Sequence, residues 1–143
     1  MNSKLLKIFS TFFLLSLLSL SAGDRDIRDK YGSLKGKVEE DGSFRDRNGS
    51  YTGKLDSNGS LRDRYGSLKG KVNDNGEVRD RYGSMVGKIK DNGEIRDKYG
   101  SLLGKIDSGG TVRDKYGSSL GKVGSGVSKE SAAIKFFFPG LSD

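Results

Sequence analysis

Six aspartates recur at one spacing: Asp29, Asp46, Asp63, Asp80, Asp97 and Asp114. Paired carboxylates are the machinery of glycoside hydrolysis, one acting as acid and one as base or nucleophile. That chemistry needs two carboxyl groups in different environments. These six repeat in the same local setting, and capping of a turn accounts for all of them at once. Five tyrosines recur with them: Tyr31, Tyr65, Tyr82, Tyr99 and Tyr116, each directly after Lys or Arg. Each repeat supplies a further lysine, as at Lys71, Lys88 and Lys105. Tyrosine rings stack on sugars or bases, and lysine and arginine attract sulfate, phosphate or carboxylate. Gathered at one end of a fold, they form an aromatic and cationic rim. Dispersed, the tyrosines pack over neighbouring glycines and the charges only solubilise.

Composition removes other chemistries. The 143 residues include no Cys and no His. That leaves no disulfide, thiolate nucleophile or zinc–thiolate site, and no histidine-based triad. Loops such as Asp74-Asn75-Gly76-Glu77 carry oxygen ligands. They lack the alternating acidic series with a distal Glu that calcium loops use, and cations stand beside them. No metal or cofactor is expected. Gly124-Ser125-Gly126 is not followed by the Lys-Ser/Thr of a phosphate loop.

The elements that must position these residues follow from a repeat of seventeen. Units begin at Ile27, Phe44, Leu61, Val78, Ile95 and Val112 without a gap. The pattern is apolar, Arg, Asp, Lys/Arg, Tyr, Gly, Ser, two variable residues, Gly, Lys, apolar, and a polar turn ending in Gly. Seventeen residues are too few for paired-helix repeats, which need about 33. Two turns per unit leave two strands of ordinary length. Asn73-Asp74-Asn75-Gly76 fits a hairpin whose three-residue loop ends in a left-handed Gly. Asp80-Arg81-Tyr82-Gly83 has the same form, with Asp bonding its own backbone. A three-residue loop at 74–76 sets Val72 opposite Val78. The same spacing pairs Val38 with Phe44, Leu55 with Leu61, Ile89 with Ile95 and Ile106 with Val112. A two-residue loop would set Val72 against Arg79 and reverse the faces. Lys71 and Arg79 then share a solvated outer face.

The expected fold class is all-β: a closed pseudo-symmetric ring of five hairpins, closed by the Phe-rich C-terminal segment. A ring hides the strand edges that a linear stack would leave bare. The six Arg-Asp starts leave open a six-petalled ring with a split closing petal. In that case the half-units Ile27–Ser33 and Ser118–Val123 meet. Beyond the Gly124-Ser125-Gly126 link, Phe136-Phe137-Phe138 would invite aggregation if exposed. They are expected to form a final strand or an apolar plug.

Residues 1–23 read as a signal peptide. Lys4 and Lys7 precede an apolar run over Ile8–Leu20, and Ser19, Ser21, Ala22 and Gly23 make a small-residue exit. The run is shorter than the roughly 20 residues of a spanning helix. Cleavage after Ser21 or Gly23 would leave a single domain, 24–143, with 124–143 as closing tail. Removing the leader takes away two lysines and no acid, lowering the net charge from +7 to +5.

The repeated Gly-x-apolar-Arg-Asp-x-x-Gly-Ser-x-x-Gly-Lys-apolar unit, the leader and the Ala- and Phe-rich end resemble the five-fold β-flower proteins. The likeness covers essentially the whole chain after the leader. It implies a small secreted bacterial all-β domain with pseudo-five-fold symmetry and no established activity. Asn48, standing where other units have Tyr, breaks any ring of tyrosines there. The expected function is a non-enzymatic structural or interaction module of the cell envelope, exported to the periplasm or beyond. The alternative is a binder of glycans or polyanions through the Tyr/Lys/Arg rim. The partner is an envelope glycan or protein, with no nucleic acid and no membrane-spanning segment after cleavage.

Overall fold

The computed structural model describes residues 24–142. The expected signal peptide, 1–23, lies outside them.

Each seventeen-residue unit makes two short strands because its two turns are built from residues that prefer to turn. Twelve strands result: β1 (Asp26–Asp29), β2 (Leu34–Val38), β3 (Ser43–Asp46), β4 (Tyr51–Leu55), β5 (Ser60–Asp63), β6 (Leu68–Val72), β7 (Glu77–Asp80), β8 (Met85–Ile89), β9 (Glu94–Asp97), β10 (Leu102–Ile106), β11 (Thr111–Asp114) and β12 (Ser119–Val123). Each pairs antiparallel with its neighbours in sequence, and β1 pairs with β12, so the sheet closes into a barrel. All five expected apolar pairs are present: Val38–Phe44, Leu55–Leu61, Val72–Val78, Ile89–Ile95 and Ile106–Val112. The closing pair Ile27–Val123 has the same register. The ring therefore has six petals, and the sixth is split between the two ends of the repeat region.

The long-loop turns have the expected form. Asn73 N–H donates to the Glu77 carbonyl at 2.8 Å and Gly76 N–H to the Asn73 carbonyl at 2.9 Å. Gly76 sits at φ +88°, where a side chain would be strained. The other turn of each unit is followed by a bulge. Val78 faces Gly87 but Arg79 faces Met85, so Val86 is an extra residue on β8. Lys35, Thr52, Lys69, Leu103 and Leu120 stand at the equivalent places.

The inner face of the wall holds Phe44, Leu61, Val78, Ile95 and Val112, each at most 1% exposed. The tail enters the lumen. Of the two forms expected for it, the strand is not the one adopted. The tail forms helix α1 (Lys129–Phe137) and then a 3-10 turn over Pro139–Leu141. The ring is already sealed by β1 and β12, so no edge is left for a further strand. Ser128 caps the helix by accepting from Ser131 N–H at 3.1 Å. Ala132 and Ala133 favour a helix, and their small side chains let it fit among the petals. Ala132, Ala133 and Ile134 are fully buried. The tail is thus an apolar plug inside the closed ring.

Candidate functional site

All six Asp-x-x-Gly turns lie at one end of the barrel, because every odd-to-even connection turns there. In each, the recurring aspartate organises the backbone. Asp80 Oδ1 accepts from Tyr82 N–H at 2.9 Å and from Ser84 N–H at 3.0 Å. Asp29, Asp46, Asp63, Asp97 and Asp114 do the same in their own turns. The arginine of each Arg-Asp pair completes the turn from outside. Arg79 Nη1 donates to the Gly83 carbonyl at 2.8 Å, and Arg28, Arg45, Arg62, Arg96 and Arg113 each hold the matching glycine carbonyl. The Arg-Asp signature is therefore a turn-building device, and all six units use it alike.

A turn held by its backbone leaves its third residue free to project. Tyr31, Tyr65, Tyr82, Tyr99 and Tyr116 are 78–85% exposed. They do not pack over neighbouring glycines. Four carry the preceding cation over the ring: Lys30, Lys98 and Lys115 at 5.2 Å from the centroid, and Arg81 at 4.8 Å. Arg81 also donates to the Tyr82 hydroxyl at 2.6 Å. The end face is thus a crown of aromatic rings edged with cations, with a gap at Asn48.

Lys71, Lys88 and Lys105 do not join this crown. They lie mid-strand on the outer wall, opposite Arg79, Arg96 and Arg113. Each wall arginine has a carboxylate partner, as in Arg79–Glu77 at 2.8 Å and Arg96–Glu94 at 3.0 Å. Among the described residues, Lys71, Lys88 and Lys105 have no ion-pair partner within 4.0 Å. The hydrogen bonds from Arg79 and Arg96 hold the Glu77 and Glu94 carboxyls below their ordinary range. Asp41 is lowered too, first by the Ser43 backbone N–H, which its carboxylate accepts at 2.9 Å.

The opposite end is acidic. A hollow of about 430 Å³ there is lined by Glu39, Glu40, Asp41, Asp56, Asp74 and Glu130, with Arg25 as the cation among its lining residues. In the loops of the kind weighed for calcium, Asn58, Asn75 and Asn92 each accept the N–H two residues on, and Glu77 accepts from Arg79.

The tyrosine end also holds a cavity that the repeat does not announce. It measures about 520 Å³ and opens in the lumen beside the plug, with Arg64, Lys35, Lys135, Ile27, Leu120 and Phe136 among its lining. Its signal in the sequence is the switch at the bulge position from Lys35, Thr52 and Lys69 to Val86, Leu103 and Leu120.

Fold and crown together define a closed antiparallel ring of like hairpins with a tail helix in its lumen. A family model described as 5-fold beta-flower protein matches residues 24–139. The chain belongs to that family, and it builds the flower with six units. No curated protein and no solved structure matches the chain.

Proposed function

We propose that this is an exported, non-enzymatic interaction module of the cell envelope that engages its partner through the tyrosine crown. The observation that carries the reading is the exposure of five tyrosines, 78–85%, at one end of a rigid ring. Large apolar rings held in water on a fixed frame are what a recognition surface requires. The frame is built independently of them, by Asp, Arg and Gly, so the tyrosines answer to no structural need. Export rests on the leader read over 1–23. The aspartates that would serve an enzyme are tied into turns, which favours a non-catalytic role. A membrane barrel is disfavoured by strands of four or five residues, where about 9–11 are needed, and by an outer wall of lysine and arginine.

The crown chemistry favours a glycan, neutral or polyanionic, over a protein partner. Tyrosine faces stack on sugar rings, and Lys30, Arg81, Lys98 and Lys115 stand beside them for sulfate, phosphate or carboxylate groups. The acidic opposite end would turn a polyanion toward the crown. A glycan array and a heparin column test this reading. Binding should fall with added salt and drop at least tenfold in Tyr82→Ala with Tyr99→Ala. No binding across a broad array would remove the glycan and leave a protein partner.

A further inference from the structure

The plug breaks the ring's symmetry. Its three phenylalanines sit over three successive glycines of the inner wall: Phe136 over Gly121, Phe137 over Gly104 and Phe138 over Gly87. The bulge residues of that half, Val86, Leu103 and Leu120, are apolar and pack against the core. The other half has the same glycine seats, at Gly36, Gly53 and Gly70. There the three atoms nearest to an added β-carbon are all backbone atoms of the neighbouring strand, with no plug ring among them. The bulge residues there turn polar, as Lys35, Thr52 and Lys69. Between the plug and the seat at Gly36 lies the cavity of about 520 Å³, a size that suits a small organic ligand.

Its lining is divided. Ile27, Leu120 and Phe136 form an apolar wall. Arg64, Lys35, Lys135 and Arg45 bring cations to the same space, Arg45 being already paired with Glu39 at 3.4 Å. Two carboxylates also reach it, Asp29 and Asp46, and both hold turn backbone. Lys35 Nζ stands 3.9 Å from Asp29 Oδ2, and Lys135 Nζ lies 5.2 Å from the centre of the Phe44 ring. Arg64 differs from its counterparts. Lys30, Arg81, Lys98 and Lys115 stack on the tyrosine that follows them, whereas Arg64 does not stack on Tyr65 and lines the cavity instead. A guanidinium presents a planar fork that suits a carboxylate or phosphate.

We propose that this cavity is a binding site for a small organic anion, with a carboxylate or phosphate head on an apolar body. The head lies against Arg64 and Lys135, and the body against Ile27, Leu120 and Phe136. The site is separate from the crown, since no tyrosine lines it, and it stands whether or not the crown binds glycan.

The test is a titration of the exported protein, isotope-labelled for NMR, with four probes: 4-phenylbutyrate, phenyl phosphate, 4-phenylbutanol and inorganic phosphate. The two organic anions should give saturable shifts at the Gly36, Asp46, Thr52 and Leu120 amides, and which binds tighter identifies the head. The alcohol and inorganic phosphate should bind at least tenfold more weakly. Arg64→Gln should weaken the preferred anion about tenfold. Arg64 is exposed, so its replacement keeps the fold. Lys135→Gln should weaken it several-fold, and Tyr82→Ala with Tyr99→Ala should leave it within twofold. The proposal is overturned if neither anion saturates these amides, if the alcohol binds as tightly, if Arg64→Gln changes nothing, or if the tyrosine variant abolishes binding.

Discussion

Phe137 of the tail lies directly over Gly104 of β10: a β-carbon placed on Gly104 would stand 2.6 Å from the phenyl ring. Lumen packing thus depends on a residue with no side chain. The same position faces the Arg113 carbonyl of the next strand, so the backbone has no room to retreat. Gly104→Ala must displace the plug or spread β10 from β11. Overpacking of this kind costs about 1–3 kcal/mol. The expected outcome is a melting midpoint lower by roughly 5–10 °C, read by circular dichroism, with folding otherwise intact.

The two classes of turn glycine separate conformational strain from steric exclusion. Gly83 in the tyrosine turn has φ +85°, and a β-carbon added there meets nothing within 4 Å, so Gly83→Ala carries only the left-handed penalty, about 1 kcal/mol. Gly76 has φ +88°, and a β-carbon there collides with the Ile89 carbonyl of the next petal. That carbonyl belongs to wall backbone and cannot swing aside. Gly76→Ala should cost at least about twice as much as Gly83→Ala. Urea unfolding of the two single variants measures the difference, and equal costs would show that the petals are not packed as described.

Glu77 and Glu94 contribute a small, acid-sensitive part of the stability. Each carboxyl is held below its usual value of 4.5, first by the hydrogen bond from Arg79 or Arg96. A carboxyl with a lowered folded value stabilises the fold while it is ionised. That contribution is complete above 4.5 and disappears as pH falls through the lowered value, where both folded and unfolded chains are protonated. Both groups face water, so the effect is small and weakened by salt. Thermal midpoints taken from about pH 6 down to about pH 3 should fall along this limb. Glu77→Gln with Glu94→Gln should flatten it and leave the neutral-pH midpoint slightly lower.

The repeat made the wall legible, because a seventeen-residue period and a Gly-ended loop leave one register that buries Val72 with Val78. The turns were legible for the same reason: Asp80 and Gly83 have one local arrangement that satisfies both. Petal number was not, because the pairing of Ile27 with Val123 joins residues far apart in the chain and carries no local turn signal. The tail was half legible. Phe136-Phe137-Phe138 announced burial, but its form depended on whether the ring had a free edge. The capping Ser128 and the pair Ala132-Ala133 were the local signs of a helix. The crown could be anticipated from the Tyr spacing, whereas Lys71, Lys88 and Lys105 sit one element away from it. The cavity depends on Arg64, Lys35 and Lys135, which converge only when the plug takes three of the six glycine seats.

Loss of the plug should be more damaging than any single substitution in the wall. Ala132, Ala133 and Ile134 are wholly buried, and Phe138 nearly so. The apolar residues of the inner wall share one core with them. Without residues 132–143 the inner faces of Phe44, Leu61, Val78, Ile95 and Val112 would border a void that strands of four or five residues are too short to shield. Backbone pairing around the ring is local and should persist in part. The expected product is a compact state with strand signal in the far-ultraviolet, no sharp thermal transition, and dye binding to exposed apolar surface. It should also aggregate at concentrations where the complete chain stays in solution. Adding the 124–143 peptide in trans should restore a cooperative melt, because the seats of its three phenylalanines are shaped by wall glycines that the truncation leaves in place. A truncated chain that melts at the same temperature as the complete one would show that the ring stands without its plug.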